Sequence, residues 1–295
     1  MIRINNSCNL NCKFCIDKKQ ISAPCLCFQD DEKIELTCKE VDNIVEQIIK
    51  MDACQVKIIG GEPFWDKQKL FGIIDIINKA HLESVIYTNG LLISEEDAQK
   101  LSKYNTKIIL NIFEDGEKEQ EIYLNKVMEV IEHLKRNNVF FLVEYITAFS
   151  CSNTKKTIER LGISKEKIHI KYLFPKDSDI GNEESPIKLK LGNIGINIAN
   201  YQTCEDYNLC FNKSIFINCD GNIYPCIGLI EKQHRLGDYR NGIYKIFKDE
   251  KYLEYWELSN MSDEMCKECA ERLSCINCKA FSIIHNKKYR CADSV

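Results

Sequence analysis

A chain of 295 residues, 44% apolar and 28% charged, is long enough for one large domain plus a smaller appendage and too apolar to stay disordered. No apolar run approaches the roughly 18 residues of a membrane helix, and the start, MIRINNSCNLNC, lacks the apolar core of an export signal, so a cytoplasmic protein with no membrane contact is expected. Forty basic against 44 acidic residues, a net charge of −4, argue against a dedicated nucleic-acid binder.

Ile2 and Ile4 begin a short strand, and a polar, cysteine-bearing loop follows to about Lys33. Thr37-x-x-Glu40 is a capping box that opens a helix with Val41, Ile44, Val45, Ile48 and Ile49 on one face. QVKIIGG (55–61) reads as a strand ending in a glycine turn, and Leu70, Ile73, Ile74 and Ile77 mark the next helix. SVIYTNG (84–90) is a strand into a turn, and Ser94-x-x-Asp97 caps the helix after it. Strands follow at 107–113, 139–147 and 167–175, separated by a long helix carrying Val127, Val130, Ile131 and Leu134 and a shorter one near 153–161. Beyond Pro175 residues 176–203 read as a linker. SIFINCDGNIYPC (214–226) reads as a hairpin turning at Asp220-Gly221-Asn222, and 243–257 as an aromatic-rich helix.

Strands alternating with helices imply parallel pairing, because each crossover needs a helix. The expected fold class is α/β: a partial (β/α)6 barrel first, a doubly wound open sheet second. A small C-terminal cysteine-rich domain follows. The expected division is 1–175, a linker at 176–203, and 204–295. In either architecture the site belongs at the C-terminal ends of the strands.

Seventeen cysteines in a chain without an export signal mean metal rather than disulfides. Cys8-x3-Cys12-x2-Cys15 follows the first strand. Three thiolates are one short of a closed zinc site. They suit a 4Fe–4S cluster with one open iron, with a zinc site completed by another residue, or unrelated core thiols, as the alternatives.

The motif Cys8, Cys12, Phe14, Cys15 resembles the C-x3-C-x-aromatic-C hallmark of radical S-adenosylmethionine (SAM) enzymes. That resemblance implies a partial (β/α)6 barrel whose open iron binds SAM and whose reduced cluster cleaves it to a 5′-deoxyadenosyl radical. It also implies SAM contacts from Gly60-Gly61-Glu62-Pro63, where the carboxylate can accept from an ammonium and the glycines admit a close ligand. Thr88-Asn89-Gly90 resembles the family's turn near the cofactor, and Asn111 is a candidate ribose contact. A turn and a strand residue of ordinary structural use are the plain alternatives.

The C-terminal spacing Cys204-x5-Cys210-x15-Cys226, then Cys266-x2-Cys269-x5-Cys275-x2-Cys278 and Cys291, resembles the SPASM extension of peptide-modifying radical SAM enzymes. By that resemblance Cys204, Cys210, Cys226 and Cys278 hold one auxiliary 4Fe–4S cluster, and Cys266, Cys269, Cys275 and Cys291 a second. With the SAM-binding cluster that makes three. Cys275-x2-Cys278 departs from the family's C-x3-C, and zinc ribbons are the alternative. Cys38 and Cys54 read as small buried side chains, Cys219 as spare, and Cys25 and Cys27 as structural or incidental thiols. Lys13, Lys267 and Lys279 are candidates to tune cluster potentials, solvated surface lysines being the ordinary reading.

The resemblance implies a peptide or protein substrate, an external reductant such as flavodoxin or ferredoxin, and oxidative maturation of a ribosomally made peptide by a thioether or carbon–carbon cross-link. Oxidation of Cys or Ser to formylglycine is the nearest rival. Sulfatase-maturing relatives carry a basic Asp directly after the third cysteine of the first auxiliary set, where this chain has Ile227. Glu114, Asp115, Glu144 and Tyr172, at or near strand ends, are the candidates for proton transfer. Since the first ligand is residue 8, leader recognition is expected from a separate protein, if the substrate needs it. An iron–sulfur electron carrier without catalysis is the reading from another class; it has no use for GGEP or an open three-cysteine site.

Overall fold

The computed structural model of the protein describes residues 1–10, 35–113, 120–147, 154–172, 190–193, 196–198, 200–208, 210–264, 266–280 and 283. The chain divides into two compact units, one of Met1–Lys13, Cys27–Leu173 and Asn218–Gly221, the other of Phe14–Leu26, Phe174–Ile217 and Asn222–Val295.

In the first unit the order is β1 (Ile2–Arg3), α1 (Cys38–Ile49), β2 (Gln55–Ile59), α2 (Lys67–Lys79), β3 (Glu83–Thr88), α3 (Glu95–Leu101), β4 (Thr106–Phe113), α4 (Gln120–Arg136), β5 (Phe140–Thr147), α5 (Thr154–Arg160) and β6 (Ile168–Tyr172). The strands pair in parallel and in chain order from β1 to β6. A doubly wound sheet reverses its order in the middle. This sheet does not, so the winding is that of a barrel. Among the described residues β6 and β1 are not paired with each other, which leaves the barrel partial.

Register sorts the side chains by face. Ile58, Ile86, Ile108 and Phe141 form one buried row across β2 to β5. In the next row on that face lies Leu110, which flanks Gly90 together with Val130 of α4, so this face meets the helices. The opposite face carries Tyr87 and Ile109 in one row, then Asn111, Glu144 and His169 in the next towards the carboxyl ends.

The predicted caps are formed. Thr37 accepts from the Glu40 N–H while the Glu40 carboxylate accepts from the Thr37 N–H. Ser94 and Asp97 do the same for α3, and Asp97 also takes the Lys67 ammonium at 2.5 Å. Cys38 is half-buried as a packing thiol against Gly72, but Cys54 is exposed, contrary to expectation.

In the second unit β7 (Lys190–Asn193), lying in the segment read as a linker, pairs antiparallel with β11 (Cys275–Asn277). Its short polar sequence, KLGN, shows no alternation from which a strand could be read. Between them come α6 (Tyr201–Asp206), β8 (Phe216–Ile217), β9 (Asn222–Tyr224), β10 (Gly237–Asp238), α7 (Ile243–Ile246), α8 (Glu250–Trp256). β8 and β9 pair as far as Ile217 and Ile223, so the hairpin turns over 218–222, which contains the expected 220–222, with Gly221 at a φ of 87°. The aromatic helix expected over 243–257 is two helices, broken where Asp249 turns its carboxylate to cap the Lys251 N–H. Among the described residues no helix is long and apolar enough to cross a membrane.

Burial pushes the Asp97 carboxyl up, but the Lys67 ammonium and the Ser94 N–H and hydroxyl outweigh it and hold it below its ordinary 3.8. A carboxyl lowered by folding stabilises the fold above its unfolded value and loses that contribution as pH falls. Asp97→Ala is expected to cost about 1–2 kcal/mol in urea unfolding at pH 7. The deficit should shrink as pH drops below 3.8.

Candidate functional site

The carboxyl ends of β1 and β2 are knitted together by main-chain contacts that continue past the strands. Ile4 N–H donates to Ile59 O at 2.9 Å, Gly61 N–H to Asn5 O at 3.0 Å, and Glu62 N–H to Ser7 O at 2.7 Å. The buried Asn5 side chain adds two bonds, accepting from Gly61 N–H at 3.1 Å and donating to Glu62 O at 3.1 Å. There is no room here for side chains on the glycine turn. A Cβ on Gly60 would lie 2.5 Å from Asn5 Oδ1, and one on Gly61 only 2.4 Å from Ser7 O and 2.6 Å from Asn6 O. The close approach that the glycines permit is first of all that of the chain's own cysteine-bearing segment.

Glu62 ties this turn to the next strand. It is 1% exposed, and its carboxylate accepts from Thr88 Oγ1 at 2.7 Å, Phe64 N–H at 3.0 Å and Asn89 N–H at 2.9 Å. Burial pushes the carboxyl up, and the bonds from Thr88, Phe64 and Asn89 pull against it without cancelling it. A carboxylate has about four acceptor positions, so three of them serve the protein itself. Pro63 is buried at the start of the short helix Pro63–Trp65 that Glu62 caps.

The Thr88-Asn89-Gly90 turn reaches back to the cysteine loop. Asn89 Nδ2 donates to Asn9 Oδ1 at 2.9 Å, directly after Cys8, while Asn89 Oδ1 accepts from Leu91 N–H at 3.0 Å. Gly90 takes φ of 82° and donates to Thr88 Oγ1 at 2.9 Å. Cys8 is half-buried, and its sulfur accepts from Leu10 N–H at 3.4 Å. Cys12, Phe14 and Cys15 lie outside the described residues, as do Lys13, Cys25, Cys27 and Cys151.

On the inner face of the sheet, Asn111 of β4 stands opposite Glu144 of β5. Asn111 Oδ1 is buried with no hydrogen-bond partner among the described residues, while its main-chain oxygen accepts from Tyr123 at 3.0 Å. A buried acceptor left without a donor costs roughly 1–3 kcal/mol, and a ligand hydroxyl would relieve it. Burial, and next the Glu144 carboxylate, push the Tyr87 phenol above its ordinary range, so it stays protonated beside that carboxylate. Of the other proton-transfer candidates, Glu114 and Asp115 lie outside the described residues. Tyr172 is placed by its backbone opposite Thr147, its side chain outside the description.

In the second unit Phe211, Leu229 and Ala280 form a small core, with Cys226 and Cys278 packed against it. Phe211 directly follows Cys210, Leu229 lies three residues after Cys226, and Ala280 two after Cys278. Cys210 is turned by Asn208, whose Oδ1 accepts from Cys210 N–H at 2.8 Å and Phe211 N–H at 3.3 Å. Burial pushes the Cys226 thiol up to about 12, against the pull of Gly228 N–H, and negative charge on Cys278 or Cys210 would push it further. Those three thiols therefore share one neighbourhood. Cys204 is buried, which also raises its thiol. Cys266 and Cys269 sit in successive turns, Cys266 N–H on Asp263 O and Cys269 N–H on Cys266 O, each at 2.9 Å. Asn260 Nδ2 fastens Cys275 O at 2.9 Å, and Cys291 is outside the described residues. Among the described residues no three Cys, His, Asp or Glu side chains already converge as ligands of a single metal ion. Lys279, read as a surface lysine, is only 7% exposed and paired with Asp263 at 3.3 Å; Lys267 is exposed. Cys219, read as spare, belongs to the first unit and is buried there with its sulfur 3.4 Å from Asn6 Oδ1.

Residues 2–160 match the Radical SAM superfamily, and residues 210–271 match SPASM, an iron–sulfur cluster-binding domain. The chain belongs to the radical SAM superfamily and carries a SPASM domain. It is 25% identical over 253 residues to an uncharacterized protein of Methanocaldococcus jannaschii (77% of this chain, 83% of that one). It is 23% identical over 312 residues to the radical SAM cyclopropyl synthase TigE of Paramaledivibacter caminithermalis, covering 90% of this chain and 64% of TigE. Among solved structures it resembles anSMEcpe with bound AdoMet and Kp18Cys peptide, with a TM-score of 0.67 at 18% identity over 95% of this chain and 88% of that one. It also resembles Streptococcus suis SuiB bound to precursor peptide SuiA, with a TM-score of 0.70 at 14% identity over 98% and 72%.

The steric argument at the turn predicts that Gly61→Ala destabilises the protein by about 2–3 kcal/mol in chemical denaturation, because the obstructing atoms are backbone. Asn5→Ala, which removes two hydrogen bonds but creates no clash, should cost less.

Proposed function

We propose that the protein is a peptide maturase that cleaves SAM reductively and cross-links a ribosomally made peptide oxidatively, through a thioether or a carbon–carbon bond. The observation that carries this reading is the seating of Cys8 against the GGEP and Thr88-Asn89-Gly90 turns in a radical SAM chain with a SPASM domain. Both solved relatives hold a bound peptide, and TigE is named for making a carbon ring, which favours bond formation on a peptide.

Cys8, Cys12 and Cys15 are the proposed ligands of a 4Fe–4S cluster that, with SAM bound, supplies a 5′-deoxyadenosyl radical. Phe14 and the main chain of Gly60, Gly61, Glu62 and Pro63 would line the cofactor, with Thr88 and Asn89 holding that turn in place. Asn111 would spend its unpartnered Oδ1 on a ribose hydroxyl. Cys204, Cys210, Cys226 and Cys278 are assigned to one auxiliary cluster, and Cys266, Cys269, Cys275 and Cys291 to another, three clusters in all. A thiol pushed up to about 12 stays protonated at neutral pH, so ligation at Cys226 requires a metal to displace the proton. The assigned division is a radical SAM part at 1–175, a linker at 176–203 and an auxiliary part at 204–295.

Forming a cross-link removes two hydrogens from the peptide: one would leave as an atom to the 5′-deoxyadenosyl radical, the other as a proton, with the remaining electron passing to an auxiliary cluster. Glu144, on the inner face beside protonated Tyr87, is the proposed acceptor. A flavodoxin or ferredoxin would deliver the electron, a separate protein would recognise any leader, and the setting would be an anaerobic cytoplasm. The hydrophobic Ile227 after Cys226 disfavours the formylglycine reading, which needs a base there.

The test is anaerobic reconstitution with dithionite, SAM and candidate peptides encoded near the gene. The expected result is 5′-deoxyadenosine together with a peptide lighter by two hydrogens that keeps its sulfur. An aldehyde in place of a Cys or Ser would replace cross-linking by formylglycine formation, and intact SAM with loaded clusters would make the protein an electron carrier. Glu144→Gln should lower peptide product roughly a hundredfold while SAM cleavage persists.

A further inference from the structure

Lys69 lies in the first turn of α2, a helix fixed by buried Leu70, Ile73, Ile74 and Ile77 and by the Asp66 carboxylate accepting from Lys69 N–H at 3.0 Å. Its side chain is only 13% exposed. A largely buried ammonium needs acceptors, and this one has two. Nζ donates to Ile4 O at 2.9 Å and to Glu35 Oε2 at 2.9 Å. Ile4 is the last residue before the segment that packs on the glycine turn. Glu35 precedes Leu36, which is fully buried, and Thr37, the cap of α1. The thirty residues between the two contacts, 5–34, carry Cys8, Cys12 and Cys15. One side chain thus bonds both flanks, or stems, of the cysteine-bearing segment, at Ile4 and Glu35. Lys69 O also faces the Cys38 sulfur at 3.9 Å, so the same residue touches the start of α1.

Exposed ion pairs contribute little. This one is partly buried, and its second bond, to a main-chain carbonyl, is charge-assisted. Neither contact belongs to the knitting around Gly61, which acts on the entry stem alone; Lys69 connects entry and exit.

We infer that Lys69 is a positioning residue: by holding the two stems together it sets how firmly Cys8, Cys12 and Cys15 retain their cluster. This rests on the ligand assignment proposed above for those cysteines. Lys69 touches neither SAM nor substrate in this account, so its effect is on metal retention before it is on turnover.

The experiment follows iron loss from the anaerobically reconstituted holoprotein to a ferrous chelator, with the cluster signal that responds to SAM monitored by electron paramagnetic resonance. In Lys69→Met the SAM-responsive cluster should be lost about tenfold faster, the effect of losing a charged hydrogen bond. The remaining iron should leave at the wild-type rate. Lys69→Arg, which can bond both stems, should restore retention, and Glu35→Gln, which keeps an acceptor but no charge, should fall between. Iron loss at wild-type rates in both Lys69→Met and Glu35→Gln overturns the inference, as does equal acceleration for all clusters. Should Lys69→Met fail to fold, Glu35→Gln, at a side chain that is 28% exposed, decides. A Cys8→Ala, Cys12→Ala, Cys15→Ala protein with the full wild-type iron content would instead overturn the ligand assignment itself.

Discussion

Between Gly61 and the main chain of Asn6 and Ser7 there is no space for even a methyl group. The rest of the site depends on that contact. It lets the chain leaving β1 run along the end of β2 as though the sheet continued, with main-chain bonds at Gly61 and Glu62 and the Asn5 amide filling in where the ladder stops. Cys8 is thereby delivered to the carboxyl end of the sheet by structure rather than by a free loop. The buried Glu62 carboxylate then carries the arrangement to β3, taking donors from Thr88, Phe64 and Asn89, and Asn89 closes the circuit on Asn9. A buried carboxylate is costly unless its acceptor positions are filled. Here they are filled by the two turns that must stay together.

The second unit solves a similar problem with apolar packing. Phe211, Leu229 and Ala280 draw together chain segments far apart in sequence, and the cysteines beside them come along. Asn208, Asn260 and Asp263 fix the local turns through bonds to main-chain groups at or beside Cys210, Cys275 and Cys266. Buried thiols that resist ionisation are poor free ligands, and any metal they took up would have to displace their protons. The pairing of buried Lys279 with Asp263 places a cation in this unit directly after Cys278.

Much of this was legible in the sequence. Helix periodicity at Leu70, Ile73, Ile74 and Ile77, the caps at Thr37 and Ser94, and the alternation of strand and helix led to the parallel sheet, and the cysteine spacings led to the family. What escaped were features made by tertiary contact. The strand at Lys190–Asn193 is polar and four residues long, and exists by pairing with Cys275–Asn277. The break between α7 and α8 comes from Asp249 preferring a cap, a choice that aromatic periodicity cannot reveal. Asn5, Asn9 and Lys69 are ordinary residue types with no diagnostic spacing, and their roles appear only when β1, β2 and α2 are placed side by side. The glycines were read as room for a ligand, yet they are first room for the chain itself. Glu62 was read as facing an ammonium, and three of its acceptor positions prove to be occupied within the protein.

We propose that this knitted corner presents a cluster with an open iron to SAM. The direct measurement is the electron paramagnetic resonance spectrum of the dithionite-reduced, reconstituted protein before and after SAM is added. The account predicts that SAM shifts the signal of one cluster, and that the shift disappears when Cys8, Cys12 and Cys15 are replaced by alanine while the other signals remain. A spectrum indifferent to SAM in the native protein, or a shift that survives loss of all three cysteines, would contradict it.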